Sequence, residues 1–477
     1  MTTVLAIDQG TSGTKAIVVD AAGVVHAAVE LPVRPQYLEG GAVEQDPEAL
    51  FDSVVTAGRQ AMAAAGIPVH AVALANQGES VLAWDPDTGA PLTPIIVWQD
   101  RRAEEWCRAQ AGHRDRLHAL TGLELDPYFS APKMRWLRDH LTTEGVVTTT
   151  DTWIVHRLCG AFVTDASTAS RSLLLDLDAV DWSPELLRFF GFEGERLPRV
   201  VACDEVVGET TVFGPPLPVT GLIVDQQAAL LAEACLDPGT AKCTFGTGAF
   251  VLAQTGRYAV RSASGLTTSV AWQLGGETSY CLDGQVYTAA SAVRWAVDTG
   301  LLASPDQLDA AVAPSSDGVL FVPAFAGLAA PWWEPAGTAT ITGMRLDTGP
   351  GHLLRALVEG IAAQVAELTT LVGAEGGAPL TRLRVDGGLT RSTALMQAQA
   401  DLAQVPLDVY PSAHATPLGA AACARLALDP AADLATVVGD WTPERTYEPQ
   451  WSADRAHTHL ERWRRLARAG MPLEDSS

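Results

Sequence analysis

The chain has few lysines and little charge overall. It contains only three lysines, Lys15, Lys133 and Lys242, against 29 arginines, and charged residues make up 18% of its 477 residues. Acidic residues outnumber basic ones so far that the formal net charge is −24. Nucleic acids and anionic membranes are bound chiefly through lysine and arginine. We therefore expect neither as a partner, and an anionic ligand has to be held by local groups and metal.

Cysteine pairs and long apolar runs are also missing. The seven cysteines are odd in number and form no CxxC pair, which argues against a disulfide framework and a zinc site. No stretch approaches the roughly 18 uninterrupted apolar residues of a membrane span. The chain opens on a strand with no basic region before it. With 47% hydrophobic residues, the sequence predicts a globular protein in the cytoplasm.

A turn rich in glycine and threonine lies near the start of the chain, between two apolar strands. The first strand runs into Asp8-Gln9-Gly10-Thr11-Ser12-Gly13-Thr14-Lys15, and the second strand follows at 16–20. Such a turn exposes backbone N–H groups to an oxyanion, and hydroxyl groups add donors. Asp8 would repel a bare phosphate but suits one that carries Mg²⁺. The turn predicts a phosphate site, with an ordinary hairpin as the alternative.

The same pattern occurs again about half a chain later. A strand at 240–244 leads into Phe245-Gly246-Thr247-Gly248-Ala249-Phe250 and then into another apolar strand. Two such turns predict two related domains that each offer one turn to a nucleotide between them. The commoner nucleotide motifs do not fit, because GxxxxGK[ST], HRD and DFG are absent. The first glycine-rich turn also leads into a strand, where the Rossmann motif requires a helix.

Strands and helices alternate along the chain, which predicts an α/β fold. Asp46 and Pro47 form the start of a helix, as its N-cap and its first residue. Pro238 and Gly239 follow an alanine-rich helical segment and mark the best linker candidate. The length suggests roughly three domains, although two of about 230–240 residues are also within the normal range of size. We therefore predict one domain over residues 1–235 and a second over 236–477.

Two aspartates follow apolar strands, where open α/β folds bind ligands. Asp225 precedes a helical segment, so a helix N-cap is the ordinary interpretation and a general base is the functional one. Its position alone favours the cap. Asp386 precedes Gly387 and Gly388, which indicates either a tight turn or a close approach of the backbone to a ligand.

Polar and aromatic residues in loops of the first half suit a sugar or polyol. They are Glu79, Trp98-Gln99-Asp100-Arg101-Arg102 and Asp126-Pro127-Tyr128-Phe129-Ser130. Carboxylates and amides bind hydroxyl groups, and aromatic faces cover the C–H surface of a sugar. A position in the core is the alternative for each aromatic residue, and it is strong for Trp98 in a chain with 13 tryptophans.

Taken together, these segments resemble the FGGY carbohydrate kinases, and among them the glycerol kinases most closely. The likeness covers nearly the whole chain. It depends on motifs that occur in order: DQGTSGTKA, NQGES, IVWQDRR, TGLELDPYFSAPKMRWLRDH, DTWIVHRL, TDASTASRSLLLDL, DQQAAL, FGTGAF, VPAFAGLAAPWW and RVDGG. The resemblance implies an α/β fold of two related domains of the actin/hexokinase (ribonuclease H-like) ATPase type. ATP and Mg²⁺ would bind in the interdomain cleft.

The resemblance also implies roles for the residues that match the family's motifs. Asp225 would be the catalytic base, which reverses the preference for a helix cap, and Asp8 and Asp225 would lie near the metal. The acceptor would be bound by Gly78, Glu79, Trp98, Tyr128, Asp225, Gln226 and Phe250. The nucleotide would be bound by Thr11, Ser12, Gly13, Lys15, Thr247, Ala290, Arg294, Gly388 and Ser392.

Four of these positions depart from the glycerol kinase pattern. Gly78 stands where those enzymes have arginine, so a planar donor fork is missing, and the freed space would fit a fourth or fifth carbon. Ala290 and Arg294 replace a glycine and a glutamine, and Ser392 replaces an asparagine. These three changes should alter nucleotide contacts without abolishing binding.

The sequence thus predicts an ATP-dependent kinase that transfers the γ-phosphate to a terminal hydroxyl of a small polyol or ketose. The alternative within this class is a C4–C5 acceptor such as erythritol, erythrulose, xylulose or ribulose. A non-enzymatic actin-like nucleotide switch is a remote alternative. Family members are often dimers or tetramers, so the resemblance also allows a homo-oligomer.

Overall fold

The computed structural model describes residues 2–471, and its strands form two large sheets and several small ones. The strands in chain order are β1 (Val4–Gln9), β2 (Gly13–Val19), β3 (Val25–Pro32), β4 (Gln36–Tyr37), β5 (Val43–Gln45), β6 (Ala71–Asn76), β7 (Val81–Trp84), β8 (Ile95–Ile96), β9 (Val146–Thr149), β10 (Val163–Asp165), β11 (Leu175–Asp176), β12 (Asp181–Trp182), β13 (Arg199–Val201), β14 (Gly208–Thr210), β15 (Leu217–Val224), β16 (Ala241–Phe245), β17 (Ala249–Gly256), β18 (Thr267–Leu274), β19 (Glu277–Val286), β20 (Leu320–Val322), β21 (Thr340–Thr342), β22 (Leu383–Asp386), β23 (Leu407–Val409) and β24 (Arg445–Tyr447).

The helices cover both faces of the large sheets. In chain order they are α1 (Pro47–Ala65), α2 (Glu104–Ala109), α3 (Arg114–Thr121), α4 (Ser130–His140), α5 (Thr150–Cys159), α6 (Ala166–Ser170), α7 (Pro184–Phe190), α8 (Asp225–Ala232), α9 (Ala290–Asp298), α10 (Leu308–Ala311), α11 (Pro350–Glu375), α12 (Thr393–Ala403), α13 (Ala415–Leu428), α14 (Leu434–Val438) and α15 (Ala453–Ala469).

The two large sheets share one topology. In the first, β1 pairs antiparallel with β2, and β2 with β3, while β1 pairs parallel with β6, and β6 with β15. In the second, β16 pairs antiparallel with β17, and β17 with β19, while β16 pairs parallel with β22, and β22 with β23. The internal repeat predicted from the two turns is therefore present as two equivalent sheets, and the α/β fold is confirmed.

Local sequence signals account for the elements next to these sheets. Helix α1 begins at Pro47, and the carboxylate of Asp46 accepts hydrogen bonds from the N–H groups of Glu48 and Ala49, as its capping sequence predicts. Strand β1 is apolar along both faces because helices cover both sides of the sheet. Helix α11 is long and apolar enough to cross a membrane, but 83% of its apolar window is buried inside the protein, so it is a core helix here.

Helix α13 comes from the second half of the chain but packs on the sheet of the first half. Its residues Ala420–Ala424 belong to a buried cluster that includes Val4, Ala73 and Ile223. A Cβ atom on Gly419 would overlap the carbonyl oxygen of Ala228 in α8, so the two helices are in close contact. The boundary at residue 235 remains a prediction, and the two halves are joined by this shared core.

Candidate active site

The two glycine-rich hairpins are built in the same way. The N–H of Gly10 donates to the Gly13 carbonyl at 3.0 Å, and the N–H of Gly246 donates to the Gly248 carbonyl at 2.9 Å. A Cβ on Gly13 would lie 2.7 Å from the Leu31 carbonyl oxygen, and one on Gly248 would overlap that of Val286. Both glycines are required because the next strand passes directly against them.

One cavity of about 220 Å³ lies between the hairpins. It brings together all seven residues assigned to the acceptor: Gly78, Glu79, Trp98, Tyr128, Asp225, Gln226 and Phe250. Thr11 and Ser12 of the first hairpin and Thr247 of the second also line it. The cavity therefore collects residues from both halves of the chain.

The remaining residues assigned to the nucleotide or metal do not line this cavity. Lys15 donates to the Ala413 carbonyl at 3.2 Å and lies 3.6 Å from Glu30. The N–H of Ala290 donates to the Gly246 carbonyl at 3.1 Å, so the start of α9 supports the second hairpin, and Arg294 is exposed on the same helix. The other residues that were assigned to the nucleotide or the metal and do not line the cavity are Asp8, Gly13, Gly388 and Ser392.

Ser392 has a structural use in this arrangement. Its hydroxyl caps α12 by accepting from the Leu395 N–H at 3.2 Å, and it donates to Asp309 at 2.5 Å. Gly388 follows Gly387, which has a φ of 95° and whose Cβ would lie 2.5 Å from the Phe245 carbonyl oxygen. Gly387 therefore lets β22 end against the second hairpin.

Three aromatic side chains form one wall of the cavity. The Trp98 ring lies edge-on to Tyr128 and Phe250, with centroid separations of 5.6 and 6.0 Å, and its indole N–H donates to the Thr11 hydroxyl at 2.8 Å. Lys133 fixes the loop that carries Tyr128, because its buried ammonium donates to the carbonyls of Pro127, Tyr128 and Phe129 at 2.6 to 2.7 Å.

Asp225 is the first residue of α8 and does not cap it. Val224 occupies the N-cap position, and the Asp225 carboxylate accepts from the neighbouring Gln226 N–H at 2.7 Å. Burial, together with the charges of Asp8 and Glu79, raises the pKa of Asp225 to about 7. A carboxylate with a pKa near neutrality is suited to general base catalysis.

Lys242 opposes this rise in the pKa of Asp225. Its side chain is fully buried in β16, and its ammonium donates to the Gln226 side-chain oxygen and the Thr244 hydroxyl, both at 2.6 Å. It thus connects Gln226, one of the residues assigned to the acceptor, to the strand that enters the second hairpin. The sequence offered one signal for this role, a lone lysine beside a phosphate turn in a chain with only three.

The space at Gly78 is smaller than the sequence suggested. A Cβ at this position would lie 3.0 Å from the Cγ2 atom of Val224, so a valine methyl fills part of the volume expected to be free. The guanidinium of Arg171 also lines the cavity. The sequence did not predict this position, although Arg171 lies within the TDASTASRSLLLDL motif. Asp283, from the second half, was also missed and lines the same cavity.

The carboxylates near the cavity fit a magnesium ion that arrives with a nucleotide. Burial, together with the nearby Glu30 and Asp386, raises the pKa of Asp8 to about 7 against the effect of Lys15, so a cation there would relieve an unfavourable charge. Among residues 2–471, no group of three or more acidic, histidine or cysteine side chains could hold a metal by itself. Mg²⁺ in kinases is typically bound by one or two carboxylates and the substrate phosphates, which agrees with this donor set.

Comparisons with known proteins identify relatives along the whole chain. Models of the FGGY family of carbohydrate kinases match residues 3–232 with the N-terminal domain and residues 241–428 with the C-terminal domain. Glycerol kinase of Aromatoleum aromaticum is 39% identical, with 98% of each chain covered. Glycerol kinase of Bordetella parapertussis is 40% identical, with 97% of this chain and 96% of that protein covered. The crystal structure of Plasmodium falciparum glycerol kinase with ADP has a TM-score of 0.90 at 28% identity and 99% coverage of both chains.

Proposed function

The chain belongs to the FGGY family of carbohydrate kinases, and from that membership we propose how its cleft performs phosphoryl transfer. The protein is a glycerol-kinase-like, ATP-dependent phosphotransferase that acts on an alcohol group of a small polyol or sugar. We propose glycerol as the acceptor, because the relatives at about 40% identity are glycerol kinases. A C4–C5 acceptor is not favoured by these relatives.

The observation that carries the proposal is the shared cavity. Asp225, the other residues assigned to the acceptor, and Thr11 and Thr247 of the two hairpins line one space of about 220 Å³. A kinase needs the attacking hydroxyl, its base and the phosphate-binding groups within reach of one another, because positioning supplies much of the rate. The two hairpins come from opposite halves of the chain, so motion of the halves can open and close the cavity.

We propose that Asp225 takes the proton of the acceptor hydroxyl as its oxygen attacks the γ-phosphorus of ATP. The P–O bond to ADP breaks as the new one forms, and the proton stays on the Asp225 carboxylate. Gln226, held by Lys242 at 2.6 Å, and Glu79 would bind the acceptor's other hydroxyl groups. The aromatic wall of Trp98, Tyr128 and Phe250 would cover its C–H surface.

The two hairpins would hold the phosphates through backbone N–H groups and threonine hydroxyls. Thr11, Ser12, Gly13 and Lys15 are proposed for one side of the phosphate chain and Thr247 for the other. Ala290, Arg294, Gly388 and Ser392 are proposed for the rest of the nucleotide. Mg²⁺ would neutralise charge on the phosphate oxygens, and Asp8 and Asp225 are the carboxylates proposed to hold it.

The organisation around this activity is proposed from sequence. We propose domains over 1–235 and 236–477 on the basis of the linker candidate at Pro238 and Gly239. The net charge of −24 supports the proposal that neither nucleic acid nor a membrane is a partner. A cytoplasmic location is proposed because no uninterrupted apolar run is long enough for a membrane span, and membership of the family allows a homo-oligomer.

The test is ADP release with product detection across glycerol, dihydroxyacetone, erythritol, erythrulose, ribulose, xylulose, ribitol and xylitol. Turnover highest with glycerol supports the proposed acceptor, and highest turnover with a C4 or C5 compound replaces it. Asp225→Asn serves as the control for contaminating kinases. ATP binding with no turnover on any acceptor would favour the non-enzymatic switch.

A further inference from the structure

Arg171 lies in the acceptor cavity and has three protein partners there. It follows the short helix α6, its side chain is only 4% exposed, and it lines the cavity with Gly78 and Glu79. Its Nε donates to the Glu79 carboxylate at 2.6 Å, one Nη donates to Asp283, and the other donates to the Tyr128 hydroxyl at 3.3 Å. One planar cation therefore contacts two residues assigned to the acceptor and one residue from the other half of the chain.

Glu79 depends on Arg171 for its orientation. Its backbone has a φ of 60°, in the left-handed region that glutamate rarely adopts, so surrounding contacts have to hold it there. Within residues 2–471, the hydrogen bond from Arg171 is the one that the Glu79 carboxylate makes with protein. The bond uses Oε1, and Oε2 is left for an acceptor hydroxyl.

Asp283 fixes the opposite side of the guanidinium. It lies on β19 in the second half of the chain, and its side chain is 4% exposed. The same carboxylate oxygen that meets Arg171 also accepts from the Gln285 amide at 2.6 Å, which ties it to its own strand. Arg171 thus reaches from the first half to a rigid point in the second.

The charges of Glu79, Arg171 and Asp283 make the geometry of this cluster depend on all three side chains. Two buried carboxylates, Glu79 and Asp283, flank one buried guanidinium, so the cluster keeps a net negative charge. Loss of the cation would leave like charges facing each other with little water to screen them. Loss of the Asp283 carboxylate would leave Glu79 as the one carboxylate, in the described part of the chain, that binds the Arg171 guanidinium, so the guanidinium could shift together with Glu79.

We propose that Arg171 is a positioning residue that orients Glu79 toward the acceptor, and that Asp283 anchors it from the other half of the chain. The inference rests on the proposed function, in which Glu79 binds an acceptor hydroxyl. It makes acceptor affinity depend on a residue, Asp283, that does not contact Glu79. It also makes the acceptor site complete only when the two halves are arranged as they are here.

The experiment measures the KM for acceptor and for ATP in Arg171→Lys, Asp283→Asn and the double variant. Lysine keeps the charge but cannot reach three partners in a plane, and asparagine keeps the shape of aspartate. Each single variant should raise the acceptor KM by about tenfold or more, with the KM for ATP within about twofold of the parent. Calorimetric titration of acceptor into each protein gives the same comparison without turnover.

The matched control is Glu359→Gln, which disrupts a buried pair with Arg355 on α11. The Glu359 side chain is 4% exposed, like that of Asp283, and it lies 2.8 Å from its arginine. This variant should leave the acceptor KM unchanged. A rise equal to that of Asp283→Asn would mean that general destabilisation explains the effect, and it would overturn the proposal.

The double variant tests whether Asp283 acts through Arg171 or has an effect of its own. If Asp283 acts through Arg171, Asp283→Asn adds little to the KM of Arg171→Lys. Fully multiplied effects, or unchanged acceptor KM values in both single variants, would overturn the inference. If Arg171→Lys fails to fold, Asp283→Asn still decides, because it preserves the Arg171–Glu79 pair. A parent protein that phosphorylates no acceptor would instead refute the proposed function.

Discussion

An arginine placed at position 78 would test how the acceptor site manages without a donor there. The backbone of Gly78 is outside the left-handed region, so a side chain is allowed, but its Cβ would lie 3.0 Å from Val224 Cγ2. That separation is shorter than the roughly 3.5 to 4.0 Å of an optimal carbon contact. We expect Gly78→Arg alone to lose about 1 to 3 kcal/mol of stability through overpacking.

Removing the obstructing methyl should restore the fit. Val224→Ala deletes Cγ2, so the double variant Gly78→Arg, Val224→Ala can seat the new guanidinium in the cavity. Charge-assisted hydrogen bonds to acceptor hydroxyls contribute about 1.5 to 3 kcal/mol, which corresponds to about 10- to 150-fold in kcat/KM. We expect a gain of at least about tenfold for glycerol in the double variant, a smaller gain in the single variant, and a loss for C4 and C5 acceptors.

The assay is ADP release with glycerol and erythritol for the parent, Val224→Ala, Gly78→Arg and the double variant, with thermal melts alongside. The melts show whether the overpacking is relieved. If the double variant regains the parental melting temperature but its kcat/KM for glycerol is unchanged, the reasoning is refuted. In that case, the site already has the donors that it needs without an arginine at position 78.

Three further predictions concern the base, its pH dependence and the second hairpin. Asp225→Asn should lower kcat by about 10²- to 10⁴-fold, the usual contribution of a general base, and near-parental turnover would remove Asp225 from the mechanism. The proposed base works only when it is ionised, and the pKa of Asp225 is raised to about 7, so kcat/KM should fall as the pH drops through that value. Lys242→Gln removes a charge that lowers the pKa of Asp225, so the acidic limb of the pH–rate profile should move to higher pH. An acidic limb at the parental pH would contradict this prediction. Gly387→Ala would bring a methyl group to 2.5 Å from the Phe245 carbonyl oxygen, at a backbone φ of 95°. It should therefore lower the free energy of unfolding by about 1 to 3 kcal/mol or more, measured by denaturant titration. An unchanged stability would show that β22 can shift to make room.

Local signals in the sequence predicted the alternating strands and helices and the two hairpins, whereas most residues of the cavity were assigned through the resemblance to the FGGY family. The hairpin at Gly10–Gly13 and the helix that begins at Pro47 are encoded by neighbouring residues, and their positions could be predicted for that reason. Contacts between distant residues could not be predicted in this way. Arg171 meets Asp283 across 112 positions, and no local pattern indicates which carboxylate a lone arginine will reach.

Two further features of the structure depend on tertiary contacts in the same way. The volume at Gly78 depends on the rotamer of Val224, which only tertiary packing determines. Ser392 was assigned to the nucleotide by its position in the family's pattern, where it replaces an asparagine, and the structure adds that its hydroxyl caps a helix and contacts Asp309. A motif indicates which residue type occupies a position, and the surrounding packing decides which partner it has.

The contact between α13 and the first sheet affects how the protein could be divided. A fragment of residues 1–235 would leave uncovered the apolar surface of Val4, Ala73, Ile223 and α8 that Ala420–Ala424 cover in the intact chain. Such a fragment, produced by itself, should aggregate or remain partly unfolded. Mixing it with residues 236–477 during refolding should recover material that either fragment alone does not give. The two halves look like duplicated modules, yet each needs the other to complete its interior.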